Sequence, residues 1–122
     1  MEFEEFEKVV NEILKDIPEE YRKVLRDEQI EVICREYVPV GVRQQFPGKI
    51  VFGLFAGISK DKKRTFSVQT QPTRIEIYKK SFEMVFGRKI TGEMKEQIYR
   101  TLIHEIAHYF GFDEEEVRSR GY

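Results

Sequence analysis

Apolar residues recur every three or four positions at Phe3, Phe6, Val9, Val10, Ile13 and Leu14. That period is the spacing of one helical face, so an amphipathic helix that packs by a single stripe is predicted over this stretch. Pro18 suits a first helical turn, and a short second helix is predicted from Glu19 to Leu25. At Ile30 the texture changes. Segments Ile30 to Val38, Ile50 to Ile58 and Arg74 to Tyr78 are rich in β-branched and aromatic residues and are parted by Pro, Gly and charged stretches, which predicts strands of a small sheet. Arg74-Ile75-Glu76-Ile77-Tyr78 alternates polar and apolar, so one face is expected on the core and the other in water. A short helix is expected from Ser81 to Phe86, stopped near Gly87. Thr91 is the expected cap of a last long helix, with Met94, Ile98, Leu102, Ile103, Ile106 and Phe110 as its buried stripe and Gly111 as its stop.

Composition narrows the field of functions. At 122 residues the sequence is expected to form one domain, 1–122, with room for one core and one site. Hydrophobic residues at 40% and charged residues at 35% describe a globular chain, with no apolar run of bilayer-spanning length. The acidic start, Met1 to Phe6, is unlike a basic secretory leader, so the cytoplasm is the expected location and no membrane partner is expected. The single cysteine, Cys34, sits beside Val32 and Ile33 and reads as a buried thiol, which rules out a cysteine-rich zinc site. A net charge of -1, from 21 basic and 22 acidic side chains, offers no broad positive field, so nucleic acid is not an expected partner. Lys60, Lys62, Lys63 and Arg64 cluster beside Gly57, Ser59 and Asp61 and read as a solvated hairpin loop. The oligomeric state is left open.

The chemistry is concentrated in Thr101-Leu102-Ile103-His104-Glu105-Ile106-Ala107-His108-Tyr109-Phe110-Gly111, where H-E-x-x-H falls inside the predicted helix. Histidines four apart share a helical face, so His104 and His108 are expected to reach one Zn2+ per chain. Glu105, one position round, is expected to approach a zinc-activated water as general base. Both histidines of the chain fall in this pattern. A catalytic zinc takes three protein ligands and keeps one position open. With 14 residues after His108, the third ligand is expected just past Gly111, among Asp113, Glu114, Glu115 and Glu116. The stretch resembles the metzincin signature H-E-x-x-H-x-x-G-x-x-H/D, which puts Gly111 at the glycine and Glu114 at the third-ligand position. Glu114 is a departure from His or Asp, and no Met-turn follows. Asp113 and Glu116 also read as a capping box for a last helical turn.

From about Ile30 onward the sequence resembles the minimal, metzincin-related zincin-like family of small bacterial proteins described as possible zinc metallopeptidases. The likeness rests on Phe52-Gly53-Leu54-Phe55-Ala56-Gly57, on Arg74-Ile75-Glu76-Ile77-Tyr78, on the H-E-x-x-H helix and on the tail Arg120-Gly121-Tyr122. It implies an α+β fold, a small mixed β-sheet packed against the active-site helix, with His104 and His108 as ligands and Glu105 as base. In such enzymes an extended substrate pairs with an edge strand. Arg74 to Tyr78 is the expected edge, and a peptide or protein substrate the expected partner. Gly53 and Gly57 are read as points of close backbone approach or as loop geometry. Tyr78, Tyr99, Tyr109 and Tyr122 are candidate hydroxyls for an oxyanion, with packing as the alternative role of each. The expected function is zinc-dependent hydrolysis, with a zinc-stabilised protein-interaction module of little turnover as the alternative; the charge balance disfavours a metal-dependent nuclease.

Overall fold

The computed structural model describes residues 1–57 and 73–109. The expectations placed on Ile58, on Lys60 to Arg64, on Phe110 to Glu116 and on the tail ending at Tyr122 lie outside the described residues. The elements follow in the order α1 (Phe3–Leu14), α2 (Glu19–Asp27), β1 (Glu31–Arg35), α3 (Val40–Gln45), β2 (Gly53–Ala56), β3 (Arg74–Tyr78), α4 (Lys79–Phe86) and α5 (Gly92–Tyr109). This is the α+β arrangement expected. β1 and β2 are shorter than the apolar runs that suggested them, and α3 was not predicted. The reason is local: Val40-Gly41-Val42 carries weak helix formers, and only the preceding Pro39, with φ near -58°, sets the chain up to turn.

The strands form a mixed sheet in the order β1-β3-β2. β3 pairs with β1 in parallel, Val32 opposite Ile75 and Cys34 opposite Ile77, and with β2 antiparallel, Gly53 opposite Ile77 and Phe55 opposite Ile75. β3 is therefore the middle strand. Both of its backbone edges are taken by neighbours, so the expectation that Arg74 to Tyr78 offers a free edge to a substrate is overturned.

The predicted helical stripes meet on one face of this sheet. Phe6 and Val10 of α1, Phe82 of α4 and Met94, Ile98, Leu102, Ile103 and Ile106 of α5 are all fully buried with Ile75 and Ile77. α5 thus packs against both α1 and the sheet by apolar contact. Rings reinforce the junction, with Phe82 5.6 Å from Phe6 and 4.7 Å from Phe52 between centroids. At its start, the Met94 backbone N–H donates to Thr91 Oγ1 at 3.2 Å, the expected cap. Gly87, at φ 88°, ends α4 in a backbone region that L side chains rarely adopt.

The other face of β3 departs from expectation, because it is not in water. Tyr78 is fully buried and Glu76 is 3% exposed. Glu76 accepts from Arg35 Nε at 2.9 Å, from Arg74 Nε at 2.7 Å and from the Tyr78 hydroxyl at 3.0 Å. Burial alone would raise its carboxyl, but these three donors outweigh burial and hold it below the usual carboxylate range. Alternation predicted two faces correctly; what it lacked was the second cover, supplied in part by α3 and the arginines flanking a cavity there of about 460 Å³. Cys34, expected to be buried, is half-buried, with its thiol pushed up to about 12 by burial first and Glu7 second.

Candidate metal centre

Gln97, Arg100, Thr101, His104, Glu105 and His108 recur at spacings of three and four, so the helical period sets them in one row along α5. That row forms one wall of a cleft of about 510 Å³. The facing wall is the chain entering β2, with Phe46, Lys49 and residues Ile50 to Leu54. The helix can face a cleft on this side because its other side is committed to the core: Leu102, Ile103 and Ile106 are fully buried. His104 and His108 remain half-buried at the boundary, while Glu105 is 9% exposed.

The two imidazoles converge. Their ring centroids are 4.7 Å apart with planes at 73°, and ligand atoms of His104, Glu105 and His108 all lie within 4.8 Å of one another. A zinc coordination sphere is about 4.2 Å across at bond lengths of ~2.1 Å, so the three side chains span nearly the volume of one ion. Imidazole nitrogens are donors suited to such an ion, and the Glu105 carboxylate lies beside them.

Glu105 is held from across the cleft. The Tyr78 N–H donates to the Phe52 carbonyl at 2.9 Å, which fixes the phase of the antiparallel ladder. Phe52, Leu54 and Ala56 then direct their backbone groups at β3, and Gly53 and Phe55 direct theirs outward. The outward Phe55 N–H donates to Glu105 Oε1 at 2.9 Å. One oxygen of the carboxylate is thereby tethered to the sheet's edge. The contact requires β2 to lie close on α5, and Gly53 permits it: a Cβ there would fall 2.9 Å from Thr101 Cγ2 and 2.8 Å from the Glu76 carbonyl oxygen. Gly57, at φ 131°, allows a similar approach to Thr73.

The structure thus brings together His104, Glu105 and His108. Glu114 and Asp113 lie outside the described residues. Of the candidate tyrosines, Tyr78 is turned away and bonded to Glu76, Tyr109 is buried with its ring 5.9 Å from Phe55, and Tyr99 packs at the core's margin. None of these three lines the cleft. Three contributors escaped the sequence reading: the Phe55 amide, Lys49 and Arg100. Arg100 was legible from its place four residues before His104; the other two depend on how β2 docks.

The family described as zincin-like metallopeptidase matches the chain over residues 28–122. That span begins at Glu28, just past the end of α2, and leaves out α1 and α2. No curated protein gave a match.

Proposed function

This chain belongs to the zincin-like metallopeptidase family, and from that premise we propose that it is a zinc-dependent peptidase acting through a water molecule. The observation that carries the reading is the convergence of His104, Glu105 and His108 at the wall of an accessible cleft. His104 and His108 offer their imidazole nitrogens to the ion, and Glu114 is the proposed third ligand, with Asp113 as the alternative. Zinc, when bound, supplies a Lewis acid that polarises the scissile carbonyl and makes water a stronger acid.

Glu105 takes the proton of the attacking water at a carboxylate oxygen and returns it to the leaving amine. The Phe55 N–H, by holding Oε1, limits the positions the carboxylate can take. The peptide lies along the outer edge of β2 beside Gly53, the Phe55 N–H being held by Glu105, in place of the middle strand first expected. We place the protein in the cytoplasm, supported by a lone cysteine suited to a reducing compartment. Among the described residues no helix is long and apolar enough to cross a membrane.

The reading is tested by metal content and turnover on the same preparations, purified without a His tag. Wild type is expected to carry about one zinc and to cleave peptides. His104→Ala and His108→Ala lose both, whereas Glu105→Gln keeps zinc and loses cleavage by at least a hundredfold. A folded wild type that binds no zinc overturns the reading. Zinc retention without cleavage of any peptide, together with unfolding on chelation, favours the interaction module instead.

A further inference from the structure

We propose that the cleft selects peptides carrying a carboxylate close to the bond attacked, recognised by Lys49 and Arg100. The proposal rests on the hydrolytic reading for its site, but on a separate pair of side chains for its content. Arg100 stands one helical turn before His104 on the same face of α5, about 5–6 Å along the helix. Lys49 stands on the facing wall, so the two cations flank one space.

Among the described residues lining the cleft, the only carboxylate is Glu105, and one of its oxygens is occupied by the Phe55 N–H. Lys49 takes part in no ion pair among the described residues. Arg100 is 3.0 Å from Glu96, but that pair is exposed on both sides, and such pairs open at little cost. The rest of the lining is uncharged, with Phe46, Ile50 and Leu54 to meet apolar parts of a ligand.

The cavity on the opposite face provides a contrast. It also presents two cations, Arg35 and Arg74, but Glu76 lies between them within 2.9 Å of each. There the arginines have their anion built in. In the cleft, among the described residues, Arg100 has only the exposed Glu96 as an ion-pair partner and Lys49 has none, so a ligand carboxylate can take that place. Two cations whose partners are exposed or absent among the described residues attract anions to the cleft, and a cation held by the histidines adds to the same field. The carboxylate comes either from an Asp or Glu side chain or from a peptide C-terminus.

The experiment measures fluorescence anisotropy of labelled hexapeptides on zinc-loaded, full-length Glu105→Gln protein, whose amide oxygen still accepts the Phe55 N–H. Four peptides are compared: neutral with an amidated end, amidated with one Glu at scanned positions, neutral with a free carboxylate, and amidated with one Lys. One carboxylate arm is expected to bind about fivefold to tenfold tighter than the neutral peptide at 50 mM salt, as two exposed cations allow, with the Lys peptide weakest. The advantage should shrink below about twofold at 500 mM salt. Which carboxylate arm wins identifies the source of the anion. Lys49→Glu with Arg100→Glu should invert the order in favour of the Lys peptide, and Lys49→Gln alone should reduce the preference.

Equal binding of all four peptides, or a preference that survives the double reversal, overturns the proposal. Turnover by wild type separates the two readings. Cleavage of neutral and Lys peptides as fast as the best Glu peptide defeats the carboxylate preference alone. No cleavage with the binding preference intact defeats the hydrolytic reading alone.

Discussion

Replacing Gly53 with alanine adds one methyl group at the seam between the sheet and the metal-site helix. The new Cβ would sit 2.8 Å from the Glu76 carbonyl oxygen, 2.9 Å from Ile77 Cδ1 and 2.9 Å from Thr101 Cγ2. The Ile77 methyl can rotate away and Thr101 can yield in part. The Glu76 oxygen cannot, because it belongs to the middle strand of the sheet. Carbon and oxygen rest at about 3.3 Å or more, so β2 must withdraw by roughly half an ångström. Overpacking of this kind costs about 1–3 kcal/mol; at ~2 kcal/mol the melting temperature of a chain this size falls by roughly 6–12 °C. A second effect follows two residues along the same strand. The Phe55 N–H to Glu105 Oε1 contact, 2.9 Å in the native protein, would stretch toward the limit of a hydrogen bond. Peptide cleavage should therefore fall further than zinc content. Gly41→Ala in α3 is the control, since a Cβ there meets nothing within 4 Å. It should be neutral or stabilise by up to about 1 kcal/mol. Thermal melts of the two zinc-loaded variants decide the matter. Gly53→Ala melting within about 2 °C of wild type, or Gly41→Ala losing as much as Gly53→Ala, would refute the close approach.

Acid should act on the other face of the sheet. Glu76 has a depressed carboxyl, so its contribution is fully present above its unfolded value of about 4.3 and is lost as pH falls through the lower folded value. Urea midpoints should drop on acidification below about pH 5 in wild type and drop less in Glu76→Gln. At pH 7 that variant should lose about 2 kcal/mol, below the roughly 3–5 kcal/mol of a fully buried pair because Arg35 is half-exposed and can rehydrate. A pH dependence identical in both proteins would discount the arginine clamp. Thr91→Ala removes the cap on Met94 N–H and should lower stability by about 1 kcal/mol, read as a melting shift of roughly 3–6 °C without loss of zinc.

The periodic parts of this protein could be read directly from its sequence. The apolar stripes of α1 and α5 specify helices because residues three and four apart share a face. Met94, Ile98, Leu102, Ile103 and Ile106 of α5, which the spacing predicted, are fully buried, and they are joined by buried Thr101, Glu105, Ala107 and Tyr109, which it did not predict. His104, Glu105 and His108 come together for the same local reason: one helical turn carries the whole grouping. α3 was missed because its propensities are weak and it buries no residue, so it leaves no apolar stripe in the sequence to read. Strand order was beyond reach as well. Arg74 to Tyr78 alternates as a half-solvated strand does, yet it became the middle of the sheet, with Glu76 buried beneath two arginines distant or adjacent in sequence. Nothing in a strand's own residues states which neighbours will pair with its edges. Nor does the sequence show that the Phe55 amide meets Glu105, fifty residues on, or that Lys49 stands across from Arg100. The helix row was fixed by covalent spacing, which is local; the facing wall was fixed by the docking of β2 through Gly53, which only the folded chain brings about.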